Sequence, residues 1–222
     1  MLAAIETTGD TCAVALHDGI RPAVELHAEI PRGHDRLLAK LFRESLDIAG
    51  IQARELEALA VSVGPGSFTG IRIGVSFAIG AAMAAGIPIV PVPTLDAIAF
   101  NLRDLGRVGK RSRVISLVPA GRLGLYATLY EIQPDFRRLT ETRTIPADQI
   151  PPLLDENVFA AGPGALLLEP SCSDCIAIDS EILTAVAVAR RGHALLAAGV
   201  SSAPEEVEPL YISGFAEDAK AG

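Results

Sequence analysis

A chain of 222 residues, half of them hydrophobic and 21% charged, is long enough to bury a core without staples and is neither disordered nor fibrous. Its 19 basic against 27 acidic side chains leave a net charge of −8. That makes it a poor binder of nucleic acid on its own, because phosphate neutralisation needs a basic surface, though it leaves room for a place in a larger complex. Three cysteines, Cys12, Cys172 and Cys175, are too few and too uneven for a disulfide framework.

Leu2 to Glu6 reads as a buried strand, Thr7 to Asp10 as a turn, and Thr11 to His17 as a second strand. Asp18-Gly19 is a hairpin signal, with a third strand from Ile20 to Glu29. The early Glu6 and Asp10, with no basic n-region, argue against a signal peptide. From Asp35 to Ala49 the apolar residues fall at helical spacing and Gly50 is the stop; Arg54 to Leu56 reads as one turn. Leu59 to Val63 is a short apolar strand entering Gly64-Pro65-Gly66, and Ser67 to Gly86 is a helix in which Arg72 is the only charged side chain. Ile87 to Val92 is a strand between prolines. Glycines, prolines and turn signals in this region predict a buried helix and strand rather than a membrane span, and a cytoplasmic location is expected. Thr94 can cap a helix from Leu95 to about Leu105.

Gly106 to Ser112 is polar and glycine-containing, the expected boundary between a first half (1–105) and a second (106–222). The pattern then restarts: strands at Arg113 to Pro119, Leu123 to Ile132 and Phe136 to Thr144, loop and short helix to Leu154, and a strand at Val158 to Ala161 entering Gly162-Pro163-Gly164. Ile176 to Ile178 reads as a minor strand, and Ser180 to Ala198 as a helix with Ser180 as N-cap. The tail after Ser201 is expected to return to the first half. Two tandem halves, each a strand meander followed by alternating helix and strand, predict an α/β protein with mixed sheets flanked by helices.

The turn GPGSFTG lacks the lysine of a Walker A loop, has glycines one residue too far apart for G-x-G-x-x-G, and does not fit G-x-S-x-G. Two readings remain. Its amides face an anion at a helix N-terminus, or Gly64 and Gly66 supply backbone angles while Ser67 caps the helix; the second is favoured. Of His17, His27, His34 and His193, no two stand four apart, and Cys172-x-x-Cys175 lacks two further ligands, so no metal site is predicted. The helix from Ser67 is apolar or small all round, which marks it as wholly internal or as an interface. Gly70, Gly74, Ala78 and Ala81 are expected on its outer surface.

The segments IETTGDTCAVAL, PRGHDRLL, LAVSVGPGSFTGIRIGVSFAIG, IPIVPVPTLDAIA and EPLYI together resemble the TsaB (YeaZ) family, bacterial accessory proteins of tRNA threonylcarbamoyladenosine synthesis. The resemblance implies an actin/Hsp70-like (ASKHA) fold of two RNase H-like halves. It implies pairing through the helices at His34 to Gly50 and Ser67 to Gly86, with a TsaD-like catalytic subunit or a second copy, and work beside a TsaE-like ATPase. The complex transfers threonylcarbamoyl to N6 of adenosine 37 in tRNAs reading ANN codons. On this basis Leu37, Leu38, Leu41, Phe42, Ser67, Gly70, Arg72, Gly74, Ala78 and Ala81 are the expected partner interface.

The same resemblance argues against catalysis. Thr94 and Ile98 stand where the catalytic paralogue has paired metal-binding histidines, Glu6 replaces an aspartate, and Pro119-Ala120-Gly121 replaces an Asp-Ala-Arg element. No cofactor is expected. A vestigial nucleotide cleft would comprise Glu6, Thr7, Thr8, Gly162 and Gly164. The alternative reading makes that cleft active, as an ATP-binding small-molecule kinase or ATPase of the same superfold.

Overall fold

The computed structural model describes residues 1–30, 33–106, 112–168, 175–176 and 182–212. The centre of the expected hinge, Cys172, Ser180 and the chain after Ile212 lie outside these residues.

Three antiparallel strands open the chain: β1 (Leu2–Glu6), β2 (Thr11–His17) and β3 (Pro22–Glu29). The Asp18-Gly19 turn closes because Asp18 Oδ1 accepts from the amides of Ile20 and Arg21, both at 2.8 Å, while Gly19 takes φ 99°. Helix α1 (His34–Ala49) ends on Gly50 in the left-handed conformation. Strand β4 (Ala58–Gly64) lies parallel to β1, α2 (Phe68–Ala85) crosses over, and β5 (Ile89–Pro93) lies parallel to β4. Helix α3 (Thr94–Asp104) follows directly.

The first sheet has the order β3-β2-β1-β4-β5. Every residue of β1 and β4 is buried, as expected of inner strands covered on both faces. On one face Leu38, Leu41 and Phe42 of α1 and Ile71, Val75 and Ala78 of α2 pack in one cluster with Ile5, Val14 and Leu16. Although α2 is long and apolar enough to cross a membrane by length and composition, here it is the crossover between neighbouring strands.

The second sheet is built from β6 (Arg113–Pro119), β7 (Leu125–Glu131), the short β8 (Arg137–Arg138) and β9 (Arg143–Ile145), β10 (Val158–Ala161) and β11 (Cys175–Ile176). Its order is β11-β10-β6-β7-β8, with β9 also on β7. The expected single strand at Phe136 to Thr144 is therefore two. Between them threonine hydroxyls replace ladder bonds: Thr140 Oγ1 accepts from the Leu129 amide at 3.0 Å, and Thr142 Oγ1 lies 2.9 Å from Thr128 Oγ1. Strand β6 is antiparallel to β7, β10 is parallel to β6 and β11 to β10, so the first sheet's connectivity is repeated. One crossover differs. Where the first sheet uses α1 between its third and fourth strands, the second uses two single 3-10 turns, Ala147–Gln149 and Pro151–Leu153, since Pro151-Pro152 cannot continue a helix.

The last helix, α4 (Ala185–Ala197), is capped by Thr184, whose Oγ1 accepts from the Ala187 amide at 3.1 Å, not by Ser180. It belongs with the first sheet, against the expected division at 105/106. Ala187, Val188 and Ala189 cover Leu2, Ala4, Ala60 and Val90 on the face opposite α2, and a Cβ on Gly192 would come to 2.8 Å from Ala60 Cβ. The compact units are thus Met1–Ala97 with Leu183–Leu210, and Ile98–Ile182 with the described tail residues Tyr211 and Ile212. After α4, Ser202 pairs with Ile89 along the edge of β5, Val207 is buried in the core, and the Leu210 amide donates to Val63 O at 2.8 Å.

Candidate functional site

Open α/β sheets hold ligands at the carboxyl ends of their parallel strands. In the first unit that place is lined by Glu6, Thr7, Thr8, Ser62 and Thr94, all buried. Glu6 turns back on its own loop: Oε1 accepts from the Thr8 amide and hydroxyl, both at 2.5 Å. Its Oε2 is buried with no hydrogen-bond partner among the described residues. Burial pushes the carboxyl up to about 6, against the opposing pull of the Thr8 hydroxyl and amide and, more weakly, of the Ser62 hydroxyl and the Thr7 amide. Ser62 Oγ and Thr94 Oγ1 meet at 2.9 Å. Nearby Cys12 is also buried, and desolvation, with the Glu6 charge second, drives its thiol to about 11, the range of an inert structural cysteine.

The glycine turn resolves as a close-packing device. A Cβ on Gly66 would come to 2.6 Å from Thr8 O; one on Gly70 would overlap the Thr7 carbonyl, and one on Gly74 the Thr7 hydroxyl. Three glycines therefore let α2 start directly on the β1–β2 turn. The contact is hydrogen-bonded as well: the Ser67 amide donates to Thr8 O at 2.7 Å, Thr7 Oγ1 donates to Gly70 O at 2.8 Å, and Ser67 Oγ caps the Gly70 amide at 3.2 Å. Gly64 adopts φ 110° beneath the tail, where a Cβ would come to 2.8 Å from Leu210 O. The Ser67 and Gly70 amides are thus already engaged within the chain.

Gly162 and Gly164, assigned from sequence to the same cleft, belong to the second unit. There they lie against β6: Gly162 has φ 102°, and added Cβ atoms would come to 2.6 Å from Leu117 O and 2.9 Å from Leu117 Cβ, respectively. Thr94 is buried beside Ser62, and Ile98 is buried in the second unit. No group of three His, Cys, Asp or Glu suited to a metal gathers among the described residues.

The expected partner interface is corrected at six positions. Leu38, Leu41 and Phe42 are buried under α1, and Gly70, Gly74 and Ala78 form the stripe of α2 that faces the sheet. Ser67 and Arg72 are exposed, and Leu37 and Ala81 half-buried. The outward face of α2 instead runs through Phe68 (55% exposed), Arg72, Ser76, Gly80 and Met83 (62%), flanked by half-buried Ile73 and Phe77. The Arg72 guanidinium lies over the Phe68 ring at 3.8 Å from its centroid. Of the two small-residue stripes on α2, Gly70, Gly74 and Ala78 are buried, while Arg72, Ser76 and Gly80 are exposed. Arg72 carried the phase: the only charge on a long helix faces water, and residues 76, 80 and 83 share its side.

Comparison with known proteins agrees with this architecture. A family model described as TsaD, tRNA N6-adenosine threonylcarbamoyltransferase, matches residues 5–149. The tRNA threonylcarbamoyladenosine biosynthesis protein TsaB of Escherichia coli is 35% identical over 130 residues, covering 58% of this chain and about half (54%) of that relative's length. The Haemophilus influenzae protein of the same name is 29% identical over 174 residues, covering 73% and 72%. The solved structure of YeaZ from Pseudomonas aeruginosa superimposes over 95% of this chain and 99% of its own, with TM-score 0.79 and 27% identity. The fold is accordingly the α/β, actin/Hsp70-like one, with two mixed sheets flanked by helices. With two sheets of repeated connectivity and a model that matches residues 5–149, the chain belongs to the TsaD-like family, and its whole-length likeness is to YeaZ.

Proposed function

We propose that this chain is a non-catalytic accessory subunit for threonylcarbamoyl transfer to N6 of adenosine 37 in ANN-decoding tRNA. It acts in the cytoplasm by pairing with a TsaD-like catalytic subunit, in company with a TsaE-like ATPase. The observation that carries this reading is the outward face of α2, where Phe68, Ile73, Phe77 and Met83 reach the surface around the small residues Ser76 and Gly80. Such a face suits close approach by another helix. A non-catalytic role is supported by the β1–β2 turn, which α2 fills with protein, and by Glu6, whose Oε1 is committed to Thr8. The net charge of −8 supports a tRNA reached through the complex rather than by this chain alone. In the absence of the catalytic subunit the same face pairs two copies of the chain.

Gly80→Arg tests the reading. A Cβ at Gly80 meets nothing within 4 Å, so the monomer accommodates the change, and arginine is the better helix former. The variant is expected to fold with an unchanged or higher Tm, to lose co-purification with the TsaD-like subunit, and to scatter light as a monomer. Complex formation at the wild-type level would refute the assignment.

A further inference from the structure

Asp18-Gly19 is the only Asp-Gly pair in the chain, which has no Asn-Gly. It lies at the tip of the β2–β3 turn, where Asp18, Gly19, Ile20 and Arg21 are all exposed to water. In such a pair the glycine nitrogen closes a five-membered ring when it bonds to the aspartate Cγ, and glycine puts no Cβ in the way. The surroundings of this turn act on that closure. His17 Nδ1 accepts from the Gly19 amide at 3.0 Å. A ring nitrogen that accepts carries no hydrogen, so a base already holds the one proton that must leave the nitrogen. His17 is buried, and this, with His193 and Arg190 of α4 and against the pull of Asp18, keeps its pKa below 6.5 and Nδ1 bare at neutral pH.

The carboxyl is addressed as well. Asp18 Oδ1 accepts from the Ile20 and Arg21 amides, both at 2.8 Å, and Arg21 Nε stands 3.9 Å from Oδ2. These donors hold the ground-state carboxylate ionised, which opposes loss of an oxygen. They also stabilise the greater negative charge that the oxygens carry once Cγ becomes tetrahedral, as a pair of amides does in an oxyanion hole. The turn is seated on α4: His193 Nε2 lies 3.1 Å from His17 O, and a Cβ on Gly19 would come to 3.8 Å from His193 Cε1. Base, nitrogen and carboxyl are thus held together by the fold.

We propose that Asp18 is a site of self-modification to isoaspartate, with His17 as the base that serves it. The Gly19 nitrogen gives its proton to His17 Nδ1 and attacks Asp18 Cγ. The N–Cγ bond forms and the Cγ–Oδ2 bond breaks. Oδ2 leaves as hydroxide, carrying the proton that His17 returns, and a solvent proton turns it into water. The product is a succinimide across residues 18 and 19. Water then opens the ring: cleavage of the new N–Cγ bond restores aspartate, while cleavage of the original main-chain bond leaves isoaspartate. Water is the only other reactant. Isoaspartate lengthens the main chain by one carbon and displaces the carboxylate that the Ile20 and Arg21 amides hold, so the turn loosens from α4. The inference does not rest on the α2 pairing proposed above.

The test ages the full folded chain at neutral pH. Mass spectrometry of its digest follows the loss of one water at residues 18–19, and an isoaspartyl carboxyl methyltransferase with labelled S-adenosylmethionine counts the isoaspartate. Isoaspartate should accumulate at residue 18 and vanish in Asp18→Glu, whose larger ring closes far more slowly. His17→Asn keeps an acceptor near the place of Nδ1 but offers no base; with its fold checked by a thermal melt, it should slow the reaction about tenfold or more. The wild-type chain unfolded in urea gives a second comparison that needs no variant: it loses the held geometry and should react more slowly than the folded chain. The inference is overturned if no isoaspartate forms at residue 18, if folded His17→Asn reacts at the wild-type rate, or if the unfolded chain reacts as fast as the folded one or faster.

Discussion

Glu6→Gln should stabilise this protein at neutral pH, an unusual expectation for a buried acid. Glu6 is 1% exposed, its Oε1 holds both Thr8 bonds, and its Oε2 has no close hydrogen-bond partner among the described residues, the Ser62 hydroxyl and the Thr7 amide giving the carboxylate only a weaker pull. Burial lifts its pKa from 4.5 to about 6 in the folded state. The folded protein therefore holds a proton that the unfolded chain releases first. Below pH 4.5 the carboxyl is neutral in both states and its contribution is whole; as pH rises through about 6 that contribution is lost, because the native state must carry a buried carboxylate. The gap between the two values corresponds to about 2 kcal/mol. Glutamine keeps an acceptor for Thr8 and never ionises. Urea unfolding of the two proteins at pH 4.5, 6 and 8 should show the variant gaining on wild type by about 2 kcal/mol across the series. A difference that stays flat, or wild type gaining on the variant as pH rises, would show that the ionised carboxylate is satisfied in the fold, and the burial argument would fail.

Other expectations follow from packing and titration. Gly74→Ala drives a Cβ into the Thr7 hydroxyl and should cost about 1–3 kcal/mol, whereas Gly80→Ala, in open space on the same helix, should gain up to about 1 kcal/mol; thermal melts decide between them. Val207→Ala should cost about 2 kcal/mol in urea unfolding, because this tail residue is buried in the main core; a change under about 0.5 kcal/mol would mean the tail is not part of the packing. His17 should titrate below its ordinary 6.5 in an NMR pH series. Burial lowers it first, then His193 and Arg190 across from it on α4, with Asp18 opposing. A depressed histidine contributes stability above its unfolded pKa and loses it as pH falls through the folded one, so His17 should weaken the fold in acid. A ring that titrates at or above 6.5 would contradict this placement.

The opening meander, both crossover helices of the first unit and the strands at Arg113 to Pro119 and Val158 to Ala161 were legible because periodicity and turn residues agree there. Asp18-Gly19, Gly50 and Gly86 mark their turns without ambiguity. The second meander was less legible at Phe136 to Thr144, where Thr140 and Thr142 spend their hydroxyls on β7 and break a strand that composition alone would continue. The allegiance of α4 was hidden for a different reason. Its alanines and valines suit either sheet, and only long-range packing of Gly192 against Ala60 assigns it to the first. At the site, sequence reasoning correctly took the glycine turn as a backbone device. It could not show that the glycines answer to Thr7 and Thr8, sixty residues earlier in rough terms, since no local pattern records that distance.

Both sides of α2 are small, but for different physical reasons. Gly70 and Gly74 are required inside the chain: the Thr7 carbonyl and hydroxyl stand where their Cβ atoms would be. No such requirement acts on Gly80. It sits mid-helix with nothing within 4 Å of a would-be Cβ, and a glycine there costs about 1 kcal/mol relative to alanine. The described residues of this chain offer no compensating contact. Ser76 and Ala84 extend the same exposed, small-sided track, with Arg72 stacked on Phe68 at one end and Met83 near the other. A track of this kind lowers the surface so that another backbone can come close, and the larger apolar groups beside it supply the burial that makes the approach favourable. The proposed pairing therefore gives Gly80 a physical role that the isolated chain does not. If Gly80→Ala raises the Tm of the monomer yet weakens the complex, that role is real. If it raises the Tm and leaves the complex unchanged, the closest approach of the partner lies elsewhere on the helix.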